Sequence, residues 1–327
     1  MRNKVLYFPY INVPNSAWFT RILLYWDEVG AIVPYEFIEV PEKLDEHTRS
    51  LVQECLVKQV LPQEHIYNIP SFRDSFLKYI NSLKNKVIKR RRMSFRKVQN
   101  SKIHIEKMDG LEYELKDIGL AKEGDYPWWF IEENTAWEFM AYLAATLGKL
   151  PDLQLDPISD DIRHLQNFLY SSRSEKLAHK KISNLRLEIL EDIFPSPQKP
   201  LKAFEISIFK EKHGDKLKAF RNRVEKEIID IADIENKELR KRRLALFKDE
   251  SRDAIKEIID AMKSSGFKGS TLSKFGSIIS SIPGVSPIFG LAKAVCDAFK
   301  KQNFQTIDPC FIYAAYAQKE ILSQDAT

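Results

Sequence analysis

Cysteine is scarce in this chain. Its 327 residues include only Cys55, Cys296 and Cys310, widely spaced and with no CxxC. An odd number so placed argues against a disulfide framework and against a zinc knuckle, and it fits a reducing compartment. Glycine is also scarce, at 11 residues. Few turns can therefore demand positive φ, which favours helices over a β-sandwich. Walker A and GxGxxG loops are absent, and no Ser or Cys sits in a nucleophile elbow. The histidines are His47, His65, His104, His164, His179 and His213, and no two are spaced i,i+3 or i,i+4 as a zinc pair on one helix requires. The opening Met1-Arg2-Asn3-Lys4 leads into a short apolar stretch broken by Pro9, without the h-region of a signal peptide. A cytoplasmic protein without cofactor or metal is expected.

Apolar residues make up 44% of the chain and charged residues 30%. The first figure argues against disorder, and the second points to extended charged surface. The formal net charge of +5 comes from one place. Between Ser75 and Ile105 there are ten Lys/Arg and no carboxylate, and the remaining 41 basic and 46 acidic residues leave a net of −5.

Along the first ~150 residues, extended and helical patterns alternate. Lys4 to Val13 reads as a strand. A helix capped at Pro14-Asn15-Ser16 carries Trp18, Ile22, Tyr25, Trp26 and Val29 on one stripe and ends at Gly30. Ala31–Pro34 and Glu36–Val40 read as extended. Glu46–Leu56 and Phe72–Leu83 read as helices, with a strand at Val57–Leu61. Further on, Ile103–Lys107 and Trp128–Glu132 read as strands and Leu111–Ile118 as a short helix ending at Gly119. Thr135-Ala136-Trp137-Glu138 matches a capping box and opens a helix running to Gly148.

Residues 151–200 form a helical connector, with Phe194-Pro195-Ser196-Pro197-Gln198-Lys199-Pro200 as linker. Residues 201–327 then make a helical arm and a Gly/Ser-rich cap. From Phe204 to Lys263, 14 acidic and 16 basic residues alternate with apolar residues at helical spacing, which predicts an amphipathic hairpin folding back near Asn236. Five of the glycines fall between Gly266 and Gly290, and Pro309–Leu322 reads as a short closing helix. The expected fold is α+β: a mixed α/β half followed by an all-α half with a long hairpin.

Three stretches resemble an uncharacterised bacterial family known as a domain of unknown function. They are Leu6-Tyr7-Phe8-Pro9-Tyr10-Ile11, Leu24-Tyr25-Trp26-Asp27-Glu28-Val29 with Ile32-Val33-Pro34, and Ile193-Phe194-Pro195 through to the helix holding Phe209, Phe220 and Arg221. The resemblance brings no established activity and no catalytic residue. Proteins of this look are often encoded on bacterial mobile elements, which implies a place in conflict or phage defence.

Three surfaces stand out. Lys84, Lys86, Lys89, Arg90, Arg91, Arg92, Arg96 and Lys97 would attract phosphates, and Phe95 could stack on a base, so nucleic acid is one partner class. The uncharged stretch Phe275–Ala292 carries Phe275, Ile278, Ile279, Ile282, Ile288 and Phe289. Pro283 and Pro287 would break a spanning helix, so this stretch is read as contact surface for a partner, with membrane activity a weaker alternative. The cluster Trp128, Trp129, Phe130, Trp137 and Phe139 is read as core. The carboxylate pairs Asp27/Glu28, Glu132/Glu133 and Asp160/Asp161 would need help from elsewhere to share a site. Pro151-Asp152 and Glu114-Leu115-Lys116 echo a nuclease metal site in the wrong order. The sequence thus points to a non-catalytic interaction or regulatory protein that binds a protein partner or itself, and the resemblance implies a place within a defence or mobile-element system. Nucleic-acid binding through residues 84–97 is the alternative, and a membrane-active effector through residues 271–299 a second.

Overall fold

The computed structural model describes residues 3–82, 100–160, 173–197, 201–264 and 308–322. The chain divides into two compact units, residues 1–176 and 177–327. The first is mixed α/β and the second is helical, the α+β architecture that the sequence predicts.

The first unit opens with β1 (Lys4–Tyr7), whose Val5, Leu6 and Tyr7 are all buried. A strand covered on both faces shows such an unbroken apolar run. Helix α1 (Ala17–Tyr25) follows, with Ser16 as N-cap accepting from the Phe19 N–H at 3.3 Å. The chain leaves the helix at Trp26, and Asp27 N–H donates to the Asn3 carbonyl at 3.0 Å. It then enters β2 (Glu28–Ile32). Gly30, expected to end a helix, therefore lies within a strand. The apolar residues from Ile22 to Val29 are buried, but they belong to a helix and to the strand after it. A Cβ on Gly30 would sit 3.1–3.3 Å from Val60, Leu6 and Leu155, so this point of the sheet is closely packed.

Glu36–Val40, expected to be extended, begins instead with the short helix α2 (Glu36–Glu39). Helix α3 (Glu46–Gln53), strand β3 (Val57–Val60), α4 (Gln63–Ile66) and α5 (Phe72–Ser82) come next. A three-stranded antiparallel sheet follows, built from β4 (Asn100–His104), β5 (Ala121–Glu123) and β6 (Trp128–Glu132) in the order β4-β6-β5, with α6 (Leu111–Asp117) between β4 and β5.

Helix α7 (Glu133–Gly148) is capped differently from the expectation. Thr135 is not the N-cap. The Glu132 carboxylate is, accepting from the Thr135 N–H at 2.9 Å and the Thr135 hydroxyl at 2.6 Å. A carboxylate there also meets the positive end of the helix dipole, so it outcompetes the hydroxyl for the orphan N–H groups. Strand β7 (Asp156–Ile158) completes the parallel sheet from beyond residue 150, where a mostly helical connector was expected; three residues are too short to show a period. The sheet order is β3-β2-β1-β7. Gly148 ends α7 where a Cβ would come 2.3 Å from the Leu155 carbonyl, so no side chain fits as the chain turns into β7. One core, including Leu6, Phe72, Phe76, Trp129, Ile131, Phe139 and Leu147, draws on both sheets, α5 and α7.

In the second unit, α8 ends at Ile193 (Arg173–Ile193), and α9 (Ala203–Asp233) and α10 (Lys237–Ser264) make the predicted hairpin. Asn236 terminates the bend by accepting from the N–H groups of Glu238 and Leu239 at 2.9 and 3.0 Å. Leu217, Phe220, Val224, Ile228, Ile231, Leu244, Phe247, Ile255, Ile258 and Met262 are buried, as their spacing requires. Helix α11 (Ile312–Ala317) is apolar all round and wholly buried. Tyr313 packs on Phe194, Phe209 and Phe220, with ring centroids 5.3–6.3 Å apart.

Candidate functional site

The parallel strands dictate where a site can form. From β1 the chain winds outward through β2 to β3, whereas β7 lies on the other side of β1. The winding direction thus reverses between β1 and β7, and open α/β sheets bind ligands outside the carboxyl ends of the strands at such a reversal. The segment Phe8–Asn12, directly after β1, lines a cleft of about 500 Å³. Its other walls come from Phe37 after β2, Ser101–His104 of β4, Lys107, Trp128 of β6, and Ala136, Trp137 and Met140 of α7. Two residues beyond β7, Asp160 hydrogen-bonds the buried Tyr7; burial first, and then this carboxylate, push the phenol well above its ordinary value.

The wall carried by α2 and β4 is latched at two points. His104 Nε2 lies 2.7 Å from Glu36 Oε2, and the Tyr35 N–H donates to Glu106 Oε2 at 2.5 Å. His104 Nδ1 accepts the Glu106 N–H at 3.3 Å, which places the imidazole proton on Nε2, facing Glu36. Hydrogen bonds from Lys43, foremost, and His104 hold Glu36 below the usual carboxylate range. Phe37, His104 and Trp128 meet edge to face, with centroids 5.2–6.4 Å apart, making a rigid aromatic wall.

The charge in the cleft is of one sign. Lys43, Lys102 and Lys107 line it, and no carboxylate does among the described residues. Lys43 is exposed and paired with Glu36, and Lys102 is exposed with its ammonium 5.3 Å from the Phe130 ring centroid. Lys107 differs from both. It is only 3% exposed, and the described residues offer its amine no carboxylate or hydrogen-bond acceptor. Burial alone lowers its pKa to about 7. The turn that carries it is fixed by Ile105 N–H donating to the Pro127 carbonyl at 3.0 Å, and by Met108 N–H returning to the Ile105 carbonyl at 2.9 Å.

The residues singled out by sequence separate into three groups. Lys84, Lys86, Lys89, Arg90, Arg91, Arg92, Phe95, Arg96 and Lys97, and likewise Phe275, Ile278, Ile279, Ile282, Ile288 and Phe289, lie outside the described residues. The carboxylate pairs do local work: Glu28 binds Lys4 at 2.8 Å, and Glu132 caps α7. Glu114 pairs with Arg73 and Lys116 with Glu123, so the nuclease-like fragment serves as ion pairs between elements. Of the aromatic cluster read as core, Trp129 and Phe139 are buried in it, but Trp128 and Trp137 are half-buried and line the cleft. Lys107 was missed, although a signal was present: in an extended reading of Ile103–Lys107, the lysine falls in phase with Ile103 and Ile105. Among the described residues, no group of three or more His, Cys, Asp or Glu could hold a metal ion, and no helix is long and apolar enough to cross a membrane. No family model matches the sequence, and searches of curated proteins and of solved structures also find no match.

Proposed function

We propose that the first unit binds a small, flat anion in this cleft, and that the protein as a whole is a ligand-responsive interaction or regulatory protein. The observation that carries the reading is the cleft itself. It opens beyond the carboxyl end of β1, is walled by Phe37, Trp128 and Trp137, and is lined by three lysines with no carboxylate among the described residues. A convergence of apolar walls with few polar groups of one sign is the usual form of a small-molecule site. The charged helical surfaces of the second unit would supply the partner contacts, in line with a role in bacterial defence or on a mobile element. Benzoate and phenyl phosphate serve as probes. Each is expected to quench Trp128 and Trp137 fluorescence saturably, more weakly at high salt, and with affinity rising as pH falls through about 7 because the anion favours protonated Lys107. Binding that is unchanged by both Lys107→Met and Trp128→Leu would refute the site.

A second reading, nucleic-acid contact through residues 84–97, rests on the ten cations free of acids between Ser75 and Ile105, one of which, Lys102, lines the cleft. Replacing Arg90, Arg91 and Arg92 by Glu is expected to abolish binding of a single-stranded oligonucleotide and flatten its salt dependence; unchanged binding removes this reading.

A further inference from the structure

We infer that Lys107 is a nucleophilic amine that condenses with an anionic aldehyde or ketone to form an imine in the cleft; this rests on the binding reading above and narrows its ligand class. Three observations converge on it. The side chain is 97% buried, since only 3% of the residue is exposed, yet it lines a cleft large enough for a small molecule. No anion or acceptor among the described residues occupies the amine, in contrast to Lys43 and its carboxylate partner. The exposed Lys102 lines the same cleft and can receive the ligand's charge while the carbonyl faces Lys107. Holding the acid group at one place and the carbonyl at another gives the attack its orientation.

A desolvated lysine without a counter-ion gives up its proton at lower pH than an ordinary lysine, and the neutral amine is the form that attacks carbonyl carbon. The Nζ lone pair forms the C–N bond as the carbonyl π pair moves to oxygen, and proton transfer from nitrogen gives the carbinolamine. Its hydroxyl then takes up a proton from solvent and leaves as water while nitrogen loses its second proton, giving C=N. One water is released per imine, and no oxidant or reductant is consumed. Nothing in this chemistry requires the second unit.

The test uses the full chain with 4-formylbenzoate and cyanoborohydride, which reduces an imine to a stable secondary amine, followed by peptide mass mapping. Benzoate is the control that carries the anion without the carbonyl. One reduced adduct is expected, on Lys107, forming on the order of tenfold or more faster than on Lys43 or Lys102 at neutral pH, because a larger share of Lys107 is neutral there. Its rate should rise with pH through about 7, opposite in direction to the affinity for benzoate. Benzoate should protect Lys107, and Lys107→Met should lose the adduct. Since that variant removes the nucleophile whatever its role, protection and the pH profile are read on the unaltered chain. Adducts spread over surface lysines would overturn the inference. If benzoate saturates the cleft and the aldehyde is not trapped, the imine falls and the binding reading stands. If neither binds, both fall.

Discussion

Lys107 in the first unit and the ion pairs of the second handle buried charge in opposite ways, whereas the first unit's buried His104 and Glu132 are partnered, by Glu36 and by Thr135. In the second unit, the buried ionisable side chains have partners among the described residues. Arg186 holds the buried Glu225 through two hydrogen bonds of 2.5 and 2.8 Å. Glu227, with its side chain 4% exposed, takes Arg223 at 3.0 Å and a further ion pair from Arg243, linking α9 to α10. His213 stacks on Tyr316 at 4.0 Å and reaches Glu320 at 3.1 Å. In the first unit, Lys107 is buried as deeply, and no counter-ion stands opposite it among the described residues. Paired ions repay part of their desolvation through Coulombic attraction and directed hydrogen bonds. A lone amine repays none, so it sheds its proton. The contrast separates charges that hold a fold together from one that the fold tolerates at a cost. A group of the second kind that lines a cleft is a candidate for function, and this is the physical ground for the proposal made for Lys107.

The largest effect expected from breaking the comparison lies in the second unit's core. Phe220→Ala removes a wholly buried ring packed on Phe194, Phe311 and Tyr313. It should cost about 3–5 kcal/mol in denaturant unfolding. Next comes Lys107→Met, which should stabilise the protein at neutral pH by about 2–4 kcal/mol, where most buried-site substitutions destabilise. Because the folded-state pKa of about 7 lies below the ordinary lysine value, the unfolded chain holds the extra proton between the two. Stability of the unaltered protein therefore rises with pH across that window, and below about 7 the full cost applies. The substitution should erase this slope; an undiminished slope, or a loss of stability at pH 7, would place a hidden partner beside Lys107 and end the contrast.

Smaller effects sharpen it. Glu227→Gln leaves Arg223 and Arg243 without their shared anion and should cost about 2 kcal/mol, less than a wholly buried pair because both cations are partly exposed. A cost no larger for Glu227→Gln than for an exposed surface pair would mean the second unit's network is ornamental. Glu132→Ala removes the α7 cap and should cost about 1 kcal/mol in the same unfolding experiment.

Much of the architecture was legible in the sequence because local rules govern it. The hairpin, its bend at Asn236 and every apolar position named along it follow from helical spacing, and β6 and α6 from short patterns ended by turn residues. The errors have a common physical origin. Gly30 lies within a strand and Glu36–Glu39 is helical because tertiary packing, not local propensity, decides short segments. The cap passed from Thr135 to Glu132 because two good candidates stood three residues apart. The cleft was illegible for a different reason: its walls come from Phe8–Asn12, Phe37, β4, Lys107, Trp128 and α7, brought together only by sheet order. Trp128 and Trp137 read as core because an aromatic that walls a cleft and one that fills a core look alike in sequence.

On this account Lys107 stands in the folded protein as an amine without a counter-ion among the described residues. Direct titration of its side-chain resonances by NMR, assigned by comparison with Lys107→Met, tests it with no ligand present. A midpoint near pH 7 is the predicted result. A midpoint at the ordinary lysine value of 10.5 would contradict the account.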